Sequence, residues 1–263
     1  MPTTINFVLI ADAHVQDGDA RFLPGIVDRI NALDPLPAFV VSLGDNIYGA
    51  AHRDGPGDMR LYHSHIRRLR CPHYYVLGGH DLEPVEVFHQ LTWPELLAIW
   101  EMPGRWYSFD QGPVHCCVLD SWAKLTPELL AQQVRWFADD LAASTAPLLV
   151  FTHEALGFQQ SDLPLWVGED NRNFWPPGNP FEALLEAHSD RLLGVFAGHK
   201  HRCLHKCQNL IDYHLVAPAF RHGGQFAQVT MELNGHWAVH AHPPSRPQGP
   251  EHDIQQSYRR QPS

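Results

Sequence analysis

Five short stretches of this sequence set carboxylates and imidazoles directly behind apolar runs: Asp12-Ala13-His14, Gly44-Asp45-Asn46, Gly78-Gly79-His80-Asp81, His153, and Gly198-His199-Lys200-His201. Mixed imidazole and carboxylate donors suit Mn, Fe, Co, Ni or Zn, whereas Mg and Ca favour all-oxygen shells. Residues i and i+2 on an extended backbone face the same way, so Asp12 with His14, and His199 with His201, are each expected to grip one centre. Any one of these motifs is commonplace. Five of them in this order are hard to reconcile with core packing, because buried carboxylates and histidines need partners.

The elements that must position these residues alternate along the chain. INFVLIA (5–11) is a short apolar strand, helical spacing follows from about Ile26, and AFVVSLGDN repeats the plan. Another helix, about Met59 to Arg70, leads into HYYVLGGHD, and three strand-helix units in succession imply a mostly parallel, covered sheet. WYSFDQGPVHCCVLDS reads as an antiparallel hairpin around Gln111-Gly112-Pro113. Thr126 and Pro127 begin a helix running to about Ala143, PLLVFTHE is a buried strand ending at His153, and Asn179-Pro180 starts a further helix. LLGVFAGHKH is a strand running into His199 and His201, and from Leu210 onward short strands suggest a second, antiparallel sheet half. In such sheets ligands collect beyond the carboxyl ends of the strands, so all five stretches are expected to converge.

A chain of 263 residues with 44% hydrophobic composition suits one sizeable domain, here expected over residues 1–242, with a polar, proline-rich tail over 243–263. A net charge of −10 argues against a nucleic-acid polymer as partner but not against a small phosphate ester, since bound cations reverse the local sign. No apolar run approaches the roughly 20 residues of a membrane helix, and the N-terminus lacks a signal peptide's basic start, so no membrane partner and a cytoplasmic location are expected. The five cysteines, Cys71, Cys116, Cys117, Cys203 and Cys207, have no zinc-knuckle spacing and are expected as buried free thiols.

The series D-x-H (Asp12, His14), G-D-x-x-Y (Gly44, Asp45, Tyr48), G-x-H-D (Gly78, His80, Asp81), V-x-x-H (Val150, His153) and G-H-x-H (Gly198, His199, His201) resembles the calcineurin-like metallophosphoesterase superfamily. WYSFDQGPVHCCVLDS and LLVFTHEALG look like its bacterial cyclic-nucleotide phosphodiesterase branch. The resemblance implies a four-layer α/β/β/α sandwich with two mixed sheets and the metal site at strand C-terminal ends. It also implies Asp12, His14, Asp45 and His201 on one metal and Asp45, His153 and His199 on the other, with Asp45 bridging. His80 is implied as the group that protonates the leaving oxygen or steadies the transition state, its ring oriented by Asp45 or Asp81. A metal-bridging hydroxide is the implied attacking group. The family's third motif has a metal-binding asparagine where this chain has Gly79, and Gly78 is read as a tight turn with positive φ. Water or another side chain completes the second metal's ligand set, or the enzyme works with one metal, or the site is degraded and the protein only binds; an active enzyme with a weakly loaded second site is the favoured reading. In the purple acid phosphatases the tyrosine of G-D-x-x-Y ligates iron, but those proteins have glycine where this chain has His14, so Tyr48 is read here as a packing residue.

The expected cofactors are two divalent transition-metal ions, Mn, Fe, Ni or Zn. The expected activity is hydrolysis of small phosphodiesters, cyclic nucleotides among them; the alternatives are a phosphomonoesterase of the same fold and a catalytically impaired metal-containing binding module. Asn46 and, in the long loop 154–179, Trp166, Asn171 and Arg172 are the candidate substrate contacts.

Overall fold

The computed structural model describes residues 4–50, 53–120, 126–162, 175, 178–220, 224–234, 236–242 and 255–258. TINFVLI forms β1 (Thr4–Ile10), whose residues from Phe7 to Ile10 have no exposed surface. An unbroken apolar run of this kind marks a strand covered on both faces. It is followed by α1 (Leu23–Asn31), β2 (Val40–Ser42), α2 (Gly55–Ile66), β3 (His73–Tyr75), α3 (Gly79–Glu86) and α4 (Trp93–Ile99). Next come the hairpin of β4 (Tyr107–Gln111) and β5 (Val114–Val118), then α5 (Pro127–Ala143), β6 (Leu148–Phe151) and α6 (Pro180–Ala187). The chain closes with β7 (Leu192–Ala197), β8 (Leu204–Gln208), β9 (Ile211–Leu215), β10 (Phe226–Glu232), β11 (Trp237–His242) and β12 (Gln255–Tyr258).

Two six-stranded mixed sheets result, ordered β12-β11-β10-β1-β2-β3 and β4-β5-β6-β7-β9-β8. In the first, β1, β2 and β3 are parallel and β10 joins β1 antiparallel. In the second, β5, β6, β7 and β9 are parallel and β4 and β8 form antiparallel edges. Alternation along β5 sends Cys116 and Val118 into the core shared with β1 and β2, and Cys117 into a second core with Phe137 of α5 and Phe181 of α6. Side chains of α1 to α4 pack on the first sheet and those of α5 and α6 on the second, giving an α/β/β/α sandwich. Aromatic rings fill the space between the sheets: Phe7 stacks on Phe39 at 5.0 Å and meets Phe151 and Phe196 edge-on at 5.9 and 5.5 Å.

Local chemistry sets the helix ends. Thr126 Oγ1 accepts from Leu129 N–H at 3.3 Å at the start of α5, and Asn179 Oδ1 accepts from Phe181 N–H at 3.0 Å at the start of α6, both as the sequence predicts. Helix α2 begins four residues before the expected Met59, because Asp54 caps it by accepting from Gly57 N–H at 2.8 Å and Pro56 sits in its first turn. Helix α1 begins at Leu23 rather than Ile26, again with a proline in the first turn. The strands after Leu210 do not form an antiparallel sheet half of their own. The largely buried β9 pairs parallel with β7, whereas β10 and β11 return to β1. LHKCQ (β8) carried no strand signal because it is an edge strand without a buried side chain. Gln255–Tyr258, inside the expected tail, pairs with β11. All five cysteines are free, but only Cys116 and Cys117 are buried and Cys207 is exposed. Among the described residues no helix is long and apolar enough to cross a membrane.

Candidate metal centre

Asp12 and His14 follow β1, Asp45 follows β2, His153 follows β6, and His199 and His201 follow β7, so strand ends from both sheets meet at one place. Donor atoms of Asp12, His14 and His201 all lie within 4.8 Å of one another, as do those of Asp45, His153 and His199. His14 Nε2 faces His201 Nε2 at 3.2 Å, and His201 Nε2 is 3.4 Å from Asp12 Oδ1. Asp45 Oδ2 stands between the two groups, 3.3 Å from His153 Nε2 and 4.0 Å from His14 Nε2.

The backbone that aims these donors is not the extended one their spacing suggests. Asp12, His14, Asp45, His199 and His201 have φ of 48°, 48°, 49°, 64° and 51°, all in the left-handed region. Asp and His enter this region more readily than most residues, but five together store strain that neighbouring bonds must hold, a pattern typical of functional sites. Asp12 N–H donates to Gly44 O at 3.1 Å and His14 N–H to Asp45 O at 2.9 Å, tying the loops after β1 and β2 together. His199 N–H donates to the Asp12 carboxylate at 3.0 Å, which brings the β7 loop across from the second sheet.

Electrostatics follow from burial. Removal from water lowers the His14 pKa to about 4 and pushes that of His199 far down, so both rings are neutral at physiological pH. Burial also disfavours the His153 imidazolium, but the facing Asp45 carboxylate outweighs it and raises the pKa to about 10. His153 Nδ1–H donates to Leu43 O at 2.8 Å, which aims Nε2 at Asp45. Neutral His14 turns a ring nitrogen toward His201, and the buried Nε2 of His199 has no hydrogen-bond partner. Such converging nitrogens beside carboxylates are a donor set for a divalent transition-metal ion, and the residues fit that group.

Gly78 departs from its expected role. Its φ is −105°, extended rather than left-handed, and what requires glycine is close approach: a Cβ would lie 2.2 Å from Asp45 N and 2.3 Å from Asp45 Oδ1. Gly78→Ala is therefore expected to displace Asp45, lowering stability by roughly 1–3 kcal/mol and reducing bound metal. Urea unfolding and elemental analysis of the variant measure both effects.

Gly79 opens α3, and Asp81 two residues on is fully buried. The Asp81 carboxylate accepts from Gly78 N–H at 2.9 Å, Asn46 N–H at 2.9 Å, Ile47 N–H at 3.1 Å and Asn46 Nδ2 at 3.1 Å. Asp81 thus pins the β2 loop to the start of α3. Asn46, also fully buried, takes part in that pinning through its backbone N–H and Nδ2. His80 N–H donates to Asp45 Oδ1 at 2.9 Å, while its ring is oriented by Glu83, whose Oε2 lies 3.2 Å from Nδ1. Neither Asp45 nor Asp81 orients that ring. Sequence reading missed Glu83 because Pro84 hid the helix that makes His80 and Glu83 an i, i+3 pair.

Tyr48 is no core residue. It is 38% exposed, lies against the His80 ring at 4.5 Å, and helps line a pocket of about 830 Å³ that opens over His14 and His201. Phe220, 37% exposed and edge-on to His14 at 5.1 Å, lines the same pocket. Arg53 lies over Tyr48 at 5.3 Å and is ion-paired with Asp17; Arg21 at the rim is ion-paired with Asp19. No motif in the sequence singles out Phe220 or Arg53. Trp166, Asn171 and Arg172 lie outside the described residues.

Solved structures share this architecture at low identity. GAP50, the anchor in the inner membrane complex of Plasmodium, superposes with a TM-score of 0.63 at 13% identity, covering 91% of this chain and 84% of that one. A purple acid phosphatase, PPD1 from yellow lupin seeds, gives 0.60 at 14% identity over 96% of this chain and 53% of that one. A putative 5'-nucleotidase from Staphylococcus aureus gives 0.54 at 15% identity, with 86% and 50% covered. This chain therefore spans about half the length of the last two. Comparison with curated proteins returns no significant match. The sequence profile of the calcineurin-like phosphoesterases matches residues 5–203, which contain every donor of the centre, and the chain belongs to that family.

Proposed function

We infer that this chain is a metal-dependent hydrolase of small phosphodiesters. The observation that carries this reading is the Asp12, His14 and His201 cluster opening into an aromatic-walled pocket, with the Asp45, His153 and His199 cluster beside it and Asp45 Oδ2 4.0 Å from His14 Nε2. Asp12, His14, Asp45 and His201 would hold one cation, and Asp45, His153 and His199 the other. When bound, a pair of divalent ions lowers the pKa of an attacking water and neutralises phosphoryl oxygens. The protein's own part is to orient the phosphate beneath Tyr48 and Phe220 and to hold a proton at the His80 ring for the departing alkoxide.

The pocket lining suits a diester. The two arginines lining the pocket are ion-paired with Asp17 and Asp19, so these side chains add little to the bound cations in recognising a second phosphate charge. A diester carries one charge and a second organic group, and the exposed faces of Tyr48 and Phe220 suit a flat one such as an aryl ring or nucleobase. Hydrolysis of bis-p-nitrophenyl phosphate and p-nitrophenyl phosphate, each with Mn, Ni or Zn and with chelator, tests this. The diester is expected to be the better substrate and chelation to stop turnover. Failure to cleave either ester with any metal would favour a binding module instead.

Gly79 bears on how firmly the second cation is held. With no side chain at the position of the family's metal-binding asparagine, the Asp45, His153 and His199 set is one donor short. Gly79→Asn is expected to tighten second-metal binding by at least about tenfold, the lower range for even an indirect partner. Metal stoichiometry after dialysis measures this, and an unchanged value counts against a weakly loaded second site.

A further inference from the structure

On β5, apart from the donors that form the centre, lies a second donor cluster. His115 and Cys117 are two apart on one face of β5, and Asp140 reaches that face from α5. Asp140 Oδ2 is 2.8 Å from His115 Nε2 and 3.2 Å from Cys117 Sγ, and the three donor atoms lie within 4.8 Å of one another. Groups outside the triad orient it. Asp110 Oδ1 is 2.7 Å from His115 Nδ1, and Ser108 Oγ donates to Asp140 Oδ1 at 2.7 Å. A carboxylate on the far nitrogen is the usual support of a metal-binding imidazole.

We propose that His115, Cys117 and Asp140 form a separate, sulfur-containing site for one divalent transition-metal ion, with zinc the best-matched occupant. An ion pair with Asp110 and Asp140 accounts for His115 alone. It gives no reason for Cys117, which has no exposed surface, to direct its sulfur at the same carboxylate oxygen. Thiolate, imidazole and carboxylate are together the donors zinc prefers, and three protein ligands leave a fourth position for water. The Asp140 end of the cluster borders a groove of about 540 Å³ lined also by Gln132, Arg135 and Trp136. Without a cation, burial holds the Cys117 thiol protonated, donating to Asp140. Metal binding forms the metal–sulfur bond and releases the Sγ proton to solvent, along with the Nε2 proton where His115 is charged; no electron is transferred.

The test is cobalt substitution of the full-length protein after chelation. Cobalt bound to a thiolate gives a ligand-to-metal charge-transfer band in the near ultraviolet that nitrogen and oxygen ligands do not give. The donor sets of the Asp and His centre contain no cysteine, and the Cys117→Ser variant separates a band from this cluster from one at the free Cys71, Cys203 or Cys207. Wild-type protein is expected to show the band, and Cys117→Ser to lose it together with about one metal ion per chain while retaining diester hydrolysis. His115→Ala is expected to lose the band as well, which covers the case of Cys117→Ser failing to fold. No band in the cobalt-loaded wild type, or a band that survives in either folded variant, overturns the proposal. The activity assay reads the other centre, so failure here is distinct from failure of the functional reading.

Discussion

His80→Ala is expected to lower kcat by roughly 10²–10⁴-fold, the usual contribution of a positioned acid or base, with metal content unchanged. The expectation rests on placement. The ring shares a donor set with His14 and Asp45, lies against Tyr48, and is steered by Glu83 on the next turn of α3. None of the two proposed cation sets needs its nitrogen. If the ring protonates the departing oxygen, the loss depends on the leaving group: it is large for alkyl diesters and small for p-nitrophenyl esters, whose leaving oxygen needs no proton. Comparing the two substrate classes in wild type and variant measures this. Equal losses for both, or activity that disappears only with the metal, would make His80 a structural residue.

Phe7→Ala is expected to destabilise the protein by about 3–5 kcal/mol, the range for deleting a fully buried aromatic ring. Phe7 belongs to β1 of the first sheet, yet its edge-on partners Phe151 and Phe196 belong to β6 and β7 of the second. The hole would open where nothing but side chains joins the layers, so collapse around it is limited. A fall in urea midpoint at unchanged m-value checks the prediction. A loss under about 1 kcal/mol would mean that the surrounding rings relax into the space.

How much was legible follows from what each residue depends on. The meeting of Asp12, Asp45, His153 and His199 could be read because each ends an apolar run, and run ends are a local property. The left-handed φ of Asp12, His14, Asp45, His199 and His201 could not be read, because it is imposed by bonds from other loops, such as His14 N–H to Asp45 O. Gly78 looked like a turn residue for a related reason: glycine signals both positive φ and close approach, and only the position of Asp45 separates them. The destination of the last strands was equally hidden. QFAQVTMEL has the alternation of any half-buried strand, and nothing in it names β1 as its neighbour.

That neighbour has a consequence for how the chain comes into being. Thr4 pairs with Glu232 and Leu9 with Ala227, so one side of β1 is closed by a strand more than two hundred residues further along the chain. On the ribosome, β1 can dock with β2 early but must wait for more than two hundred further residues before its other edge is covered. A nascent chain halted in that interval carries a long, apolar, open strand edge, the kind of surface that chaperones shield and that seeds aggregation when they do not.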